Sequence, residues 1–571
     1  MFKNQPKGLY VLALANTGER FGYYTMLAVF LLFLQAKFGF DSSVSGQIYA
    51  GFLAFVYFMP MIGGIIADKW SFSKCVVTGL FVMFIGYLIM AIPTSIRSTT
   101  SLCILIGALA LISIGTGLFK GNLQVMVGDL YNDPRYAAQR DSAFSLFYMA
   151  INIGSLFAPM MATVMTNVSL HGAGYEYVAE LPALCNAFLD GNTANAGEIL
   201  KLCAANGMTA PTDITAFSNS YLSALTTGYS YAFGVACLSL IVSYLIYFLG
   251  RSSYAHIIGG KKGANGNNAV NVNEPQLSKK QTSERIVALL LVFTVVIFFW
   301  MVFHQNGATL TEFAKGCTSS EAWGFTRIGF NVWALLSIVV AVYALFSLFQ
   351  SKTGKSKGIS GAVLVAAIGV LAYIYTQTPN PVTGLQPQIY QQFNPFYVVA
   401  LTPVSLGIFS WLASRKKEPS APRKIGFGML MAGIAYLIML VGSLSITGTK
   451  GAVSPNWLIS TYLVLTFAEL LLSPMGISFV SKVAPPKYKG IMMGCWFGAT
   501  AVGNYLVSIP MLLWGKISLP LLWGILIVIC LLSAAFIFSI MKKLEKATGD
   551  NQESAEANTA KAEKLAAEAE A

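Results

Sequence analysis

Apolar residues gather along this chain into fourteen runs separated by short polar stretches. They fall at about 8–35, 44–67, 75–95, 101–128, 141–165, 222–249, 284–306, 326–349, 359–377, 389–413, 424–446, 455–483, 488–514 and 518–541. Each is close to the roughly 20 residues that a helix needs to cross hydrocarbon. A bilayer core offers backbone groups no partner, so each run must bond within itself and is expected to be a helix. Three stretches interrupt the pattern. Residues 166–221 form a long polar segment, 250–283 are rich in Gly, Asn and Lys and read as a flexible linker, and the tail from Ala547 is rich in Ala, Glu and Lys. The expected fold class is an all-α polytopic membrane protein: a six-helix bundle over 1–249, a second over 284–542 with an additional helix pair at 326–377, and a tail over 543–571.

Composition supports the bilayer reading and excludes others. The chain of 571 residues is 55% hydrophobic and 11% charged, with mean hydropathy +0.63. No soluble protein of this length hides that much apolar surface. The net charge of +13 raises nucleic acid as a partner, but the basic residues alternate with the spans and form no continuous groove. They follow the positive-inside pattern instead. With a cytoplasmic N-terminus, the inner loops carry Lys69 and Lys74, Arg135 and Arg140, Lys261, Lys262, Lys279 and Lys280. They also carry Lys352, Lys355 and Lys357, the Arg415 to Lys424 cluster, Lys487 and Lys489, and Lys542 to Lys546. The outer loops hold mostly single cations such as Lys37, Arg97, Lys450 and Lys516. Both termini are expected inside a plasma membrane, for a bacterium the inner membrane. The first span keeps charged residues and lacks a small-residue cleavage site, so it reads as retained. Most of the eight Cys fall in or beside spans as small apolar residues; Cys185 and Cys203 share the segment 166–221 and are a candidate disulfide in an oxidising compartment.

Charge carried into hydrocarbon is costly and marks solute or ion pathways. The first span holds Asn16-Thr17-Gly18-Glu19-Arg20-Phe21-Gly22-Tyr23-Tyr24, and the fourth holds Lys120, too deep to snorkel to either surface. The twelfth carries Glu469 within Phe467-Ala468-Glu469-Leu470-Leu471-Leu472-Ser473-Pro474. Other spans carry polar groups whose role is open. Asn152 reads as an interhelical hydrogen-bond donor beside small residues, and Gly63 to Lys69 as a packing device and loop anchor. Asn394-Pro395 is a candidate helix break that would free backbone groups toward a cavity. Trp496 either lines a pocket or packs. His304, the only His within a span on this reading, follows Trp300 near an outer helix end and has the side chain suited to proton handling. Buried cations in one half (Arg20, Lys120) and a buried anion with an amide in the other (Glu469, Asn394) suit a zwitterion with separated ends. Tyr23, Tyr24, Tyr57, Trp300 and Trp496 offer adaptable apolar walls. Two halves around such a site are the arrangement of a rocking-bundle transporter. The sequence has no HExxH, no CxxC and no Ser–His constellation, which argues against an enzyme.

These motifs resemble the proton-dependent oligopeptide transporter (POT) family of the major facilitator superfamily. Glu19-Arg20-Phe21-Gly22-Tyr23-Tyr24 matches the end of the family's ExxERFxYY motif, and Phe147 to Gly154 its FYxxINxG signature. Lys120, Asn394, Glu469 and the MGxWF run Met493–Phe497 also stand where the family has them. The resemblance implies symport of di- and tripeptides with protons by alternating access. Substrate contacts would come from Arg20, Tyr23, Tyr24, Tyr57, Lys120, Asn152, Trp300, Asn394, Glu469, Ser473 and Trp496. Arg20 and Lys120 would hold the peptide carboxylate, Glu469 and Asn394 the amino end, and Glu19 would exchange ion pairs between Arg20 and Lys120. Proton coupling would use Glu19, Arg20, Lys120, His304 and Glu469, with protons as coupling ion and no cofactor or metal. The expected partners are short peptides and membrane lipid, with no nucleic acid and no obligatory protein partner. The sequence also departs from the family. Asn16 replaces the first Glu of ExxER and His304 the usual acid four residues after the tryptophan of the seventh helix. Phe72 and Ser73 alter the loop between the second and third spans, and the additional helices follow the seventh core helix, whereas many bacterial relatives insert a pair between the halves. A related transporter of another small zwitterion or anion, with altered or absent coupling, is the alternative these departures leave.

Overall fold

The computed structural model describes residues 5–131, 135–136, 140–258, 278–351, 353–485 and 488–548. Most of the linker (259–277) and the tail from 549 lie outside them. Fourteen helices among the described residues are long and apolar enough to cross a membrane. In chain order they are α1 (Lys7–Phe38), α2 (Ser42–Lys69), α3 (Phe72–Ala91), α4 (Thr99–Asp129), α5 (Arg140–Gly172), α6 (Ile214–Leu249) and α7 (Lys279–Phe303). The rest are α8 (Val332–Gln350), α9 (Gly354–Gln377), α10 (Phe393–Ser414), α11 (Ala421–Gly442), α12 (Asn456–Val483), α13 (Lys489–Leu506) and α14 (Leu519–Ser539). Short helices and 3-10 turns lie between them, and among the described residues β-structure is limited to isolated bridges such as Ala322 with Val382.

Local chemistry sets many of the helix ends. Gly39 adopts the left-handed conformation (φ 69°) that closes α1, and its amide donates to the Gln35 carbonyl. Asp41 then caps α2, accepting from the Val44 amide at 2.8 Å. Ser278 and Gln281 form a capping box at the start of α7. Pro395 does not break a helix, contrary to expectation. It lies in the first turn of α10, after a 3-10 turn over Pro387–Gln392. Amides there have no intrahelical partner, so proline costs nothing.

Helices also run past the apolar runs that announced them. α5 continues to Gly172 and α6 begins at Ile214, so the segment expected over 166–221 narrows to 173–213. Buried Thr166 and Leu170 on α5, and Phe217 and Tyr221 on α6, continue their helices' packed faces past the hydrophobic limit. Two short helices, Leu181–Leu189 and Ala196–Ala205, fill the gap. They bury Cys185 and Cys203, which are unbridged. Burial pushes the Cys185 thiol up to about 11, so it stays protonated at neutral pH.

Two hydrophobic cores organise the molecule. One gathers mainly residues of α1–α6, joined by Ala308, Val507 and Met511 of the second half, and the other mainly residues of α7, α8 and α10–α14, joined by Leu156 of α5. Small residues allow the tightest approaches. A Cβ placed on Gly63 of α2 would fall on the Gly117 carbonyl of α4, and one on Gly154 of α5 would come within 2.6 Å of the Thr17 carbonyl of α1. Between the cores, α2 packs on α13 and α5 on α10. The additional pair α8 and α9 forms a hairpin joined by a Ser347–Ser360 hydroxyl contact of 2.8 Å. α8 rests on α10 and α5, while α9 buries only Ser360 and Ala367.

Candidate substrate site

Glu19 and Arg20 occupy the middle of α1 and are almost completely buried. Neighbouring residues on a helix do not normally face one another. Here both side chains bend together, with Arg20 Nε donating to Glu19 Oε2 and Nη2 to Oε1 at 2.6 Å. A fork-shaped guanidinium meeting a carboxylate in two bonds is the geometry that tolerates burial best. The guanidinium also lies over the Tyr23 ring, 4.8 Å from its centroid. One turn of α4 brings in Lys120, whose Nζ sits 4.0 Å from the centroid of Tyr57 on α2. Among the described residues no carboxylate pairs with Lys120. This wall therefore holds one internally neutral pair and one uncompensated cation.

The facing wall is the reverse. Glu469 of α12 is buried, and its Oε2 accepts from Asn394 Nδ2 of α10 at 3.0 Å. Its Oε1 accepts from the Tyr148 hydroxyl of α5 at 3.1 Å. Asn394 Nδ2 also donates to Thr466 Oγ1 at 3.0 Å, which fixes the amide. No cation among the described residues pairs with Glu469. Tyr24 follows on α1, its ring edge to face with that of Tyr23 at 5.3 Å. Ser473, four residues after Glu469 and so on the same face, has a buried hydroxyl with no protein partner.

α7 supplies the third part. Its helix gives way at His304 to a 3-10 turn, His304–Gly307, and resumes over Thr309–Gly316. The carbonyl of Asn306 freed there accepts from the Tyr462 hydroxyl at 3.1 Å and from Thr311 Oγ1 at 2.9 Å. His304 stacks on Trp300 at 5.0 Å and lies 6.0 Å from the Tyr57 ring. Among the described residues none gives its Nδ1, Trp300 Nε1 or either end of the buried Asn504 amide a hydrogen bond of good geometry, although Asn504 lies beside His304. A concentration of such groups is unusual in an interior, where most polar atoms are bonded.

The structure thus gathers Glu19, Arg20, Tyr23, Tyr24, Tyr57, Lys120, Trp300, His304, Asn394 and Glu469 around one region between the halves. Two further expected contributors make packing contacts. Asn152 donates to the Tyr148 carbonyl of its own helix at 2.9 Å, which holds the turn that carries Tyr148, and the expected interhelical bond is not found among the described residues. Trp496 packs on Gly476 and, edge to face, on Phe293 at 6.3 Å in the second core. His304 is also not alone, since His171 lies in the last turn of α5, exposed and 3.1 Å from Glu176. Sequence reasoning passed over Tyr148, although it stands in the quoted Phe147–Gly154 run, and Asn504, an amide in an apolar span. It also passed over Glu312 and Lys315, because the seventh run was ended at residue 306.

A bundle of fourteen spanning helices with ionisable groups converging between two halves defines an integral membrane transporter. The POT family profile (PTR2) matches residues 73–280 and 364–519, and the chain belongs to that family. It is 28% identical over 533 residues to the uncharacterized transporter YclF of Bacillus subtilis (strain 168), covering 88% of this chain and 87% of that protein. It is 25% identical over 533 residues to a di-/tripeptide transporter of Lactococcus lactis subsp. lactis (strain IL1403), covering 88% of each. Among solved structures it resembles peptide transporter POT in complex with sulfate, at 21% identity, TM-score 0.58 and 96% of both chains. It also resembles a POT family transporter in complex with 5-aminolevulinic acid, at 19% identity, TM-score 0.63, and 95% of this chain and 98% of that one. The fold is therefore that of the major facilitator superfamily, two six-helix bundles with an added hairpin.

Proposed function

We propose that this protein imports di- and tripeptides together with protons by alternating access, from a plasma membrane in which both termini are cytoplasmic. One observation carries the reading. Among the described residues Lys120 has no acidic partner and Glu469 no basic one, and they stand on opposite halves. A zwitterion with separated ends supplies both missing counterions at once. Its carboxylate meets Lys120 and Arg20, and its ammonium meets Glu469 beside Asn394 and Tyr148. When Lys120 is empty, Glu19 stays with Arg20; a peptide carboxylate arriving on the cations competes with Glu19, which is then free to take a proton. His304 stands where the family has an acid and serves as the second proton carrier. Coupling needs no cofactor beyond the proton.

The test is dialanine uptake into proteoliposomes, with and without an inward proton gradient and with alanine and trialanine as competitors. Gradient-driven uptake blocked by trialanine but not by alanine is the expected result. With His304→Gln the pH dependence of uptake should flatten; an unchanged profile removes His304 from the proton path. Uptake indifferent to the gradient would keep the substrate and discard the coupling. Absence of uptake would favour the second reading, another small zwitterion or anion with altered coupling. Asn16 and His304, where the family's motifs have carboxylates, are what favours that reading.

A further inference from the structure

A second cavity, remote from the central site, lies at the end of the first bundle that bears the basic loops. It has a volume of about 240 Å³ and sits where α2 passes into α3 and against the end of α6. Two cations open into it: Lys74, in the first turn of α3, and Arg251, in the 3-10 turn that follows α6. Both are exposed, no described carboxylate pairs with either, and none lines the cavity. A lysine in the first turn of a helix faces the positive end of its macrodipole, so helix stability gives no reason for Lys74 to be there. The same helix start has no side-chain cap, which leaves its first amides as further attraction for an anion.

The floor is already braced. Tyr247, fully buried, shares a 2.8 Å hydroxyl contact with Ser73, and the buried Tyr254 donates to the Tyr247 carbonyl at 2.5 Å. The rim is aromatic, with Trp70, Tyr244 and Phe248 between two-fifths and three-fifths exposed. Tyr and Trp beside basic side chains mark the level of lipid headgroups. The same two helices, α6 and α3, also carry strongly exposed apolar residues, Leu249, Leu245 and Phe81, a surface suited to acyl chains.

We propose that this cavity is a binding site for the phosphate headgroup of an anionic phospholipid of the adjacent leaflet, held by Lys74 and Arg251 over the Trp70–Tyr244–Phe248 rim. Basic pockets between membrane helices on the side of positive loops select anionic headgroups by this chemistry. The cavity is smaller than sites that enclose a drug-sized solute, which suits a headgroup whose tails stay outside. The site is independent of peptide transport and stands or falls separately from it.

The test uses the full-length protein purified in a neutral detergent. Thermal unfolding and native mass spectrometry are recorded with added phosphatidylglycerol, phosphatidylcholine or inorganic phosphate. Phosphatidylglycerol should raise the unfolding temperature by several degrees more than phosphatidylcholine and give retained lipid adducts. The pair Lys74→Gln and Arg251→Gln should lose that difference, while Lys74→Arg with Arg251→Lys keeps it. Lys355→Gln with Lys357→Gln, which removes the same charge at the distant hairpin, should also keep it. Equal shifts with both lipids in the unmodified protein would overturn the proposal without reference to any variant. So would a phosphatidylglycerol preference that survives loss of both cations, or an equal shift with inorganic phosphate, which would mark a soluble-anion site.

Discussion

Glu469 shows how a single ionisable side chain is prepared and left incomplete. Asn394 and Tyr148 each give its carboxylate one hydrogen bond, at 3.0 and 3.1 Å, and both donors are neutral. The charge is thus oriented but not neutralised, and a buried carboxylate in that condition favours a cation strongly. Glu469→Gln keeps the shape and removes the charge. Apparent affinity for dialanine should fall by about tenfold or more, since a charge-assisted hydrogen bond is worth about 1.5–3 kcal/mol. Inhibition by N-acetyl-dialanine, which lacks the ammonium, should change little. An equal loss for both compounds, read from competition curves, would reduce Glu469 to a packing role. Most of these residues were legible beforehand, because a charge inside an apolar run stands out in one dimension. Tyr148 was not: a tyrosine in an aromatic-rich span carries no signal until the chain folds and brings Glu469 to it from 321 residues away.

The helices themselves were predicted well in number and less well in extent. Hydropathy reports where hydrocarbon ends, whereas helix ends depend on capping and on neighbours. Hence α5 and α6 outrun their apolar cores, and the seventh helix resumes beyond His304 as far as Gly316. The glycine pattern in α2 was read as packing, and the contact of Gly63 with the Gly117 carbonyl gives it a partner. Gly63→Val should lower the unfolding temperature in detergent by several degrees, because forcing extra carbon into a close contact costs about 1–3 kcal/mol. Gly64→Val is the control, since nothing lies within 4 Å of a Cβ there. If both variants melt alike, the two helices are not in close contact at Gly63.

Across the whole molecule, the two halves meet through polar contacts at the end opposite the basic loops. Gln35 of α1 donates to Glu312, Lys315 Nζ donates to Gln35 Oε1 at 2.6 Å, and Gln391 donates to the Ala28 carbonyl at 3.2 Å. Gln386 donates to Asn167 at 2.5 Å. Glu312 is 4% exposed and anchors the first group, paired with Lys315 at 3.4 Å. Contacts made in one state and broken in another set the balance between states. Glu312→Ala should therefore shift the protein toward separation at this end, by on the order of tenfold in the equilibrium for one lost charge-assisted hydrogen bond. Spin labels at exposed Thr99 and Lys450 would read it as a larger population of long distances. An unchanged distance distribution would show that the apolar contacts alone hold this end closed.

The sequence by itself determined the class of the protein, its fourteen spans and most of the charges at its centre. Each of these follows from one-dimensional facts: the length of an apolar run, the alternation of basic loops, and the cost of an ion in hydrocarbon. The tertiary structure decided which charges answer one another. Glu19 is taken by its neighbour Arg20, Lys120 rests on Tyr57, and Glu469 is shared by two neutral donors. It also decided that Glu312 and Lys315 belong to the meeting of the halves, and that Lys74 and Arg251, 177 positions apart in the chain, open into one cavity. Pairing depends on distances between helices far apart in the chain, and hydropathy, which acts on each helix alone, contains none of them.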